Sequence, residues 1–335
     1  MKYTSFLKEK MTKRILYLSK GQEASSTRYR ALQYFPLYLQ SGLTPSHLTV
    51  SGGLLAFIKA LFHASQADIV ILLRKTFPSP FFWLLRKVSK KLIFELDDAI
   101  FCNSDGSYSN TRMSRFITTA SQCDQVFAGN QYLADTAKLY QANTSVIPTS
   151  LETKKYIQPS KQDSKKFVLV WIGSRSTKKY IAGILPAIEI AAHAIPNLTL
   201  KIIADFTLES NFVTINNIPW KEATEAIEVK NADIGLAPLP PDNWTKGKCA
   251  LKVLQYLSAK RPVISSSTST NGYVVEHLKS GYLADSKDEW VEAIINAYQQ
   301  KDKLAQLGSY GQKRVQTEFD INVVFKRILN QLTTM

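Results

Sequence analysis

Lys248, Lys252 and Gln255 stand four and three residues apart in KGKCALKVLQYLSAKRPVIS, residues 246–265. If 248–259 is a helix, that spacing projects all three from one face, while Leu251, Val253, Leu254 and Leu257 cover the other. Like charges four apart weaken a helix by roughly 0.2–0.5 kcal/mol, and a diphosphate bound between them reverses that sign. A second candidate is WIGSRSTKK, residues 171–179. Here an apolar run ends in Gly173 and Ser174, followed by Arg175, Lys178 and Lys179. Backbone N–H groups, a helix N-terminus and cations together suit a phosphate. Neither GxxxxGK[ST] nor GxGxxG is present, so the segment is not a Walker loop or a dinucleotide fingerprint. The plainer reading of each segment alone is a solvated basic surface.

Asp97 and Asp98 follow LIFEL; such a pair can ligate Mg²⁺, act as a base or cap a helix. Gly21, Arg28 and Arg30 follow the first apolar run, and Arg74 and Lys75 follow IVILL. Gly21 would permit a close turn. The four histidines, His47, His63, His193 and His277, are far apart, and the three cysteines form no CxxC pair. A zinc site, a metal cluster and a histidine triad are therefore not expected.

These side chains need elements to hold them. Strands are expected over 14–19, 47–50, 67–74, 91–98, 124–130 and 144–150, with helices over 26–42, 53–64, 79–90, 110–122 and 131–141. After the polar, lysine-rich stretch 151–166, which reads as a linker, the pattern restarts. Strands over 167–174 and 198–204, ADIGLAPLP and RPVISS alternate with helices over 183–195, 221–230, 248–259, 288–299 and 301–318. An amphipathic helix closes the chain. Alternating strands and helices imply an α/β fold with two parallel sheets. In such sheets ligands bind beyond the carboxyl ends of strands, where the candidates above lie.

The chain has 335 residues and a net charge of +15. The excess is not a basic tail: residues 1–150 hold 18 Lys+Arg against 9 Asp+Glu, and the remainder 24 against 18. That favours an anionic partner. No nucleic-acid-binding signature appears, so nucleic acid is not expected. The odd cysteine count, the lack of a signal-like apolar run at the start and the lack of a membrane span suggest a cytoplasmic protein. FPSPFFWLLRKVSKKL, residues 77–92, sets aromatic beside basic residues and suits a peripheral site on an anionic membrane surface, or else a crossover helix with a solvated end.

Residues 233–284, from DIGLAPLPPDNW to KSGYLA, resemble the donor-binding segment of retaining GT-B glycosyltransferases of the group 1 or family 4 type. SSTRYRALQYFPLYLQSGL (25–43), LIFELDDAIF (92–101) and WIGSRST (171–177) resemble a subgroup that assembles bacterial cell-surface glycans. The resemblance spans most of 13–315 and implies a GT-B architecture, with two Rossmann-like domains facing a cleft. They would be an acceptor-side domain over 13–155 and a donor domain over 166–319, with a helix over 320–335 crossing back. It further implies sugar transfer from a nucleotide-sugar donor to a glycan or lipid-linked acceptor, with retention, no metal and no cofactor beyond that substrate. By position, Lys252, Arg175 and Asp98 would be catalytic. Gly173, Ser174, Lys178, Lys248, Gln255 and Gly21 would bind donor, and Arg28, Arg30, Arg74 and Asp97 would lie on the acceptor side. The family's two glutamates eight apart fall here on Gly247 and Gln255. An inactive or partner-subunit homologue and a nucleotide-sugar epimerase are the alternatives.

Overall fold

The computed structural model describes residues 13–159 and 165–333. The first sheet contains β1 (Arg14–Ser19), β2 (Thr44–Thr49), β3 (Ile69–Leu73), β4 (Leu92–Leu96), β5 (Gln125–Ala128) and β6 (Thr144–Val146). Between them run α1 (Ser25–Arg30), α2 (Phe35–Gln40), α3 (Gly53–Gln66), α4 (Ser79–Val88), α5 (Asn110–Gln122) and α6 (Gln131–Lys138). The strand order is β2-β1-β3-β4-β5-β6. β1 pairs with β2 and β3 in parallel, and β3 with β4 likewise. Strands β3 and β4 are buried along their whole length, which is why they read as unbroken apolar runs.

The second sheet contains β7 (Phe167–Ile172), β8 (Leu198–Ala204), β9 (Thr214–Pro219), β10 (Ile234–Ala237), β11 (Val263–Ser265) and β12 (Gly281–Leu283). Its helices are α7 (Lys178–Ala192), α8 (Glu222–Lys230), α9 (Leu251–Ser258), α10 (Thr270–Val274), α11 (Lys287–Gln299), α12 (Leu304–Glu318) and α13 (Ile321–Thr333). The order β12-β11-β10-β7-β8-β9 is parallel and reverses between β7 and β10, the position where such sheets bind ligands. Its core packs Trp171, Ile202, Leu236 and Ile264 against Ile181 and Ile188 of α7 and Trp290 of α11.

Contacts divide the chain into two compact units. One gathers the described part of Met1–Leu96 with Ser114–Phe127 and Ala137–Ser145. The other gathers Asp97–Met113, Ala128–Thr136 and the described part of Val146–Met335.

Several expectations are corrected. The helix expected over 26–42 is α1, a 3₁₀ turn at Leu32–Tyr34 and α2. Ala31 leaves helical geometry at φ −132°, and a proline stands in the first turn of α2. Proline has no N–H to continue an earlier helix but suits the start of a new one. The helix expected from residue 248 starts at Leu251, because Lys248 is extended and Ala250 is left-handed at φ 57°. The stretch read as a linker is packed at Leu151, Thr153 and Tyr156, which are buried. Residues 160–164 of it, and 1–12 at the start, lie outside the described residues. Strands β9 and β12 and helix α10 were not foreseen. β9, TINNIP, alternates at partial exposure with polar residues, and the other two are too short for a period to show.

Helix α9 is seated by one glycine. A Cβ on Gly235 of β10 would overlap Tyr256 Cγ and lie 2.8 Å from Tyr256 Cβ. Gly235→Ala is therefore expected to lower stability by about 1–3 kcal/mol through overpacking, read as a lower midpoint in urea unfolding. An unchanged midpoint would mean that α9 can shift without cost.

Candidate active site in the second unit

Tyr256 fixes the register of α9. The Ile172 N–H donates to its hydroxyl at 2.9 Å, and the hydroxyl donates to the Leu236 carbonyl at 3.2 Å. One helical turn earlier, Lys252 is half-buried, with Nζ 5.3 Å from the centre of the Trp171 ring. Burial, followed by the charge of Lys248, pulls the Lys252 ammonium down to about 8, opposed by Asp98. An amine that titrates so near neutrality, beside another cation, marks a place where an anion would be welcome.

Lys248 does not share a helix face with Lys252, contrary to the spacing argument. It precedes α9 in extended backbone, and its Nζ lies 2.7 Å from Asp98 Oδ1 and 4.7 Å from the Trp244 ring centre. Asp98 is buried and Asp97 half-buried, and the Asp97 carbonyl accepts from the Cys249 thiol at 3.3 Å. Asn130 holds the same segment. Its Nδ2 contacts the carbonyls of Lys246 and Lys248 at 3.1 Å each and Ser269 Oγ at 3.2 Å. The sequence offered no sign of Asn130 beyond its place at the end of a strand.

The turn after β7 is built on the same Trp171. A Cβ on Gly173 would overlap that ring and meet Thr177 Oγ1 at 2.8 Å, so only glycine lets the chain pass. Ser174 and Thr177 form a reciprocal cap on the 3₁₀ turn Arg175–Thr177, which runs into α7. Arg175 is exposed, and its backbone N–H donates to Asp205 Oδ1 at 2.7 Å. Lys178 Nζ donates to the Thr207 carbonyl at 3.1 Å and lies 5.1 Å from the Phe206 ring centre. Lys179 Nζ donates to the Ser104 carbonyl at 3.2 Å. Through Trp171, the structure thus brings Lys252 and Gly173 together, and joins Lys248 with Asp98.

Gln255 is buried in a separate network. Its Nε2 donates to Glu225 Oε1 at 2.6 Å and to the Tyr156 hydroxyl at 3.1 Å. Tyr156 donates to the same Oε1 at 2.5 Å, and Trp220 Nε1 to Oε2 at 2.7 Å. Glu225 and Tyr156 went unnoticed in the sequence because nothing local links residues 30 and 99 positions from Gln255. At Gly247 a Cβ would overlap the Ala99 backbone nitrogen and sit 2.7 Å from Ala99 Cβ, so a glutamate cannot occupy this position in this backbone.

Among the sites expected near the first sheet, Arg30 is buried and ion-paired with Glu95, its Nε donating at 2.5 Å; it is a core residue rather than an exposed cation. Arg28 is half-buried beside Tyr29. Arg74 follows β3 with a left-handed φ of 49°, its N–H donating to the Glu95 carbonyl at 2.7 Å. Gly21 has no positive φ and open space where a Cβ would stand, so its turn does not require glycine. His47, far from the other histidines in the sequence, contacts Ser19 Oγ at 2.8 Å, and Thr27 donates to that same oxygen at 2.8 Å.

Residues 152–314 match the family of glycosyl transferases group 1. No curated protein matches the chain. Three solved structures resemble the fold. Anabaena HepE in complex with UDP and glucose is 15% identical, with a TM-score of 0.71 over 96% of this chain and 100% of that one. Sucrose-phosphate synthase from Thermosynechococcus elongatus is 13% identical, with a TM-score of 0.74 over 96% and 99%. The pneumococcal O-GlcNAc transferase GtfA, in complex with UDP and GlcNAc, is 17% identical, with a TM-score of 0.64 over 83% and 60%. The two six-stranded parallel sheets are thus those of a GT-B fold, and the family match supports a glycosyltransferase.

Gln255→Glu would put a second carboxylate against Glu225 and remove two donated hydrogen bonds. It is expected to lower stability by about 2–4 kcal/mol. Adding Glu225→Gln should recover much of that loss in urea unfolding. Simply additive losses would mean that the two side chains do not act as a pair.

Proposed function

We propose that this chain, with a group 1 glycosyl transferase region over 152–314 on a GT-B fold, moves a sugar from a nucleotide-sugar donor to a glycan or lipid-linked acceptor. The transfer proceeds with retention and without a metal ion. The observation that carries this reading is Lys252. It is a partly desolvated ammonium placed against Trp171, under the glycine turn that opens α7, at the reversal of strand order.

In this reading Lys252 and Arg175 hold the donor diphosphate, assisted by Lys178. Cations already in place at the departing nucleotide diphosphate lower the barrier where negative charge develops, and they supply locally what a metal ion would otherwise supply. Lys248 adds charge, and Asp98, through its ion pair, keeps Lys248 in position. Asp97, Arg28 and Arg74 remain candidates for the acceptor side, whereas Gln255 supports the donor helix from behind through Glu225. The uridine nucleotides bound to HepE and GtfA make a UDP-sugar the first donor to test.

A catalytically inactive or partner-subunit protein is the second reading. It is favoured by Gly247, where the family glutamate has no room. Donor hydrolysis or transfer excludes it, and the return of an epimerised nucleotide sugar would identify an epimerase instead.

A nucleotide sugar that binds the native state raises its melting temperature. The rise should be abolished by Lys252→Ala and kept by Lys230→Ala, whose Nζ donates instead to the Ala259 carbonyl. Equal behaviour of the two variants would remove Lys252 from the site. The pH dependence has a definite sign. Donor binding needs charged Lys252, so it weakens as pH rises through about 8. The folded pKa lies below the usual 10.5, so the contribution of Lys252 to unliganded stability instead improves between about 8 and 10.5. Melting curves with and without donor at several pH values read both trends, and parallel trends would contradict the assignment.

A further inference from the structure

The outer face of α3 is apolar, the reverse of an ordinary surface helix. Leu54, Leu55, Ile58 and Phe62 are 64%, 82%, 52% and 65% exposed, while the inward face carries Phe57, Ala60 and Ala64. The neighbouring α4 continues the pattern with exposed Phe81, Trp83 and Leu84. Phe57 joins the two helices, its ring centre 5.0 Å from that of Phe81 and 5.4 Å from that of Phe77. A run of large exposed apolar side chains on adjacent helices marks an interaction surface.

Charge selects the partner. Between Ser51 and Phe94 the chain holds seven Lys+Arg and a single acid, Asp68, whose carboxylate contacts Lys90 at 2.9 Å. Lys59 lies exposed on α3 beside Ile58, and Lys87 on α4 sits 5.4 Å from the Trp83 ring centre. Two copies of such a face would repel each other. An aqueous polyanion would match the lysines and leave the leucines in water. An anionic lipid surface matches both, because acyl chains take the leucines and phenylalanines while headgroups take the lysines. With 14 residues, α3 is about 21 Å long, too short to span a hydrocarbon core of about 30 Å but able to lie in the interface. No helix among the described residues is long and apolar enough to cross a membrane.

We propose that α3 and α4 form a docking surface for an anionic lipid bilayer, with α3 inserting Leu55 and Phe62. This goes beyond the donor chemistry and does not depend on it.

The full chain should float with vesicles of phosphatidylcholine containing about a third phosphatidylglycerol, and at least about tenfold less with phosphatidylcholine alone. Leu55→Glu with Phe62→Glu should reduce flotation at least about tenfold. It should leave the melting temperature and the donor-dependent shift unchanged. Leu55→Glu alone, at the most exposed position, is the milder second variant if the pair disturbs folding. No flotation of the wild type with anionic vesicles would overturn the proposal, as would equal flotation of the variants. So would light scattering that shows a wild-type dimer and a monomeric variant, which would assign the face to a second copy. Loss of the donor shift in the wild type would count against the glycosyltransferase reading and not against this surface.

Discussion

The Tyr256 hydroxyl, accepting from Ile172 and donating to Leu236, is the contact on which the candidate site depends. It binds α9 to β7 and β10 at once, across the reversal of strand order. The close approach requires Gly235 beneath the ring. With the helix so fixed, Lys252 has one place to go, above Trp171, and the same ring leaves room only for Gly173 in the turn that opens α7. Two buried aromatic side chains therefore transmit the geometry of the sheet to the charged groups.

The electrostatics follow from that packing. Lys252 is held where water solvates it poorly and Lys248 repels it, and Asp98 offsets only part of the penalty. Lys248 is anchored to Asp98 and flanked by Trp244, so it cannot swing away to relieve the repulsion without breaking an ion pair. A preorganised excess of positive charge differs from a solvated basic surface in one respect: the cost of bringing the cations together is met during folding, not when the ligand arrives. The Gln255 network is its complement. There a single buried carboxylate, Glu225, is matched by donors from Gln255, Tyr156 and Trp220, and a second carboxylate would have no donor of its own.

Most of the fold was legible because parallel strands buried on both faces are unbroken apolar runs, and β1, β3, β4 and β7 all fall within the spans their composition marks. Legibility failed where the signal was short or polar. β12 has three residues, α10 has five, and β9 presents Asn216 and Asn217 in a half-exposed strand. α3 was legible as a helix, but which of its faces would meet the sheet was not. Its inward face uses one phenylalanine and two alanines and leaves the larger leucines outside, against the usual expectation.

By itself the sequence determined the α/β class, the two sheets, the basic character of the strand ends and the presence of Lys252, Arg175 and Gly173 after or near them. These follow from local pattern and composition, which act over a few residues. Tertiary structure alone decided what each polar group faces. It took Lys248 off the helix and joined it to Asp98, 150 positions away, and turned Gln255 toward Glu225 and Arg30 toward Glu95. It closed position 247 to any side chain by laying Ala99 against it. The physical reason is the same in each case. A buried charge or amide must find its partner wherever the packed chain brings one, and spacing along a helix carries no information about that partner.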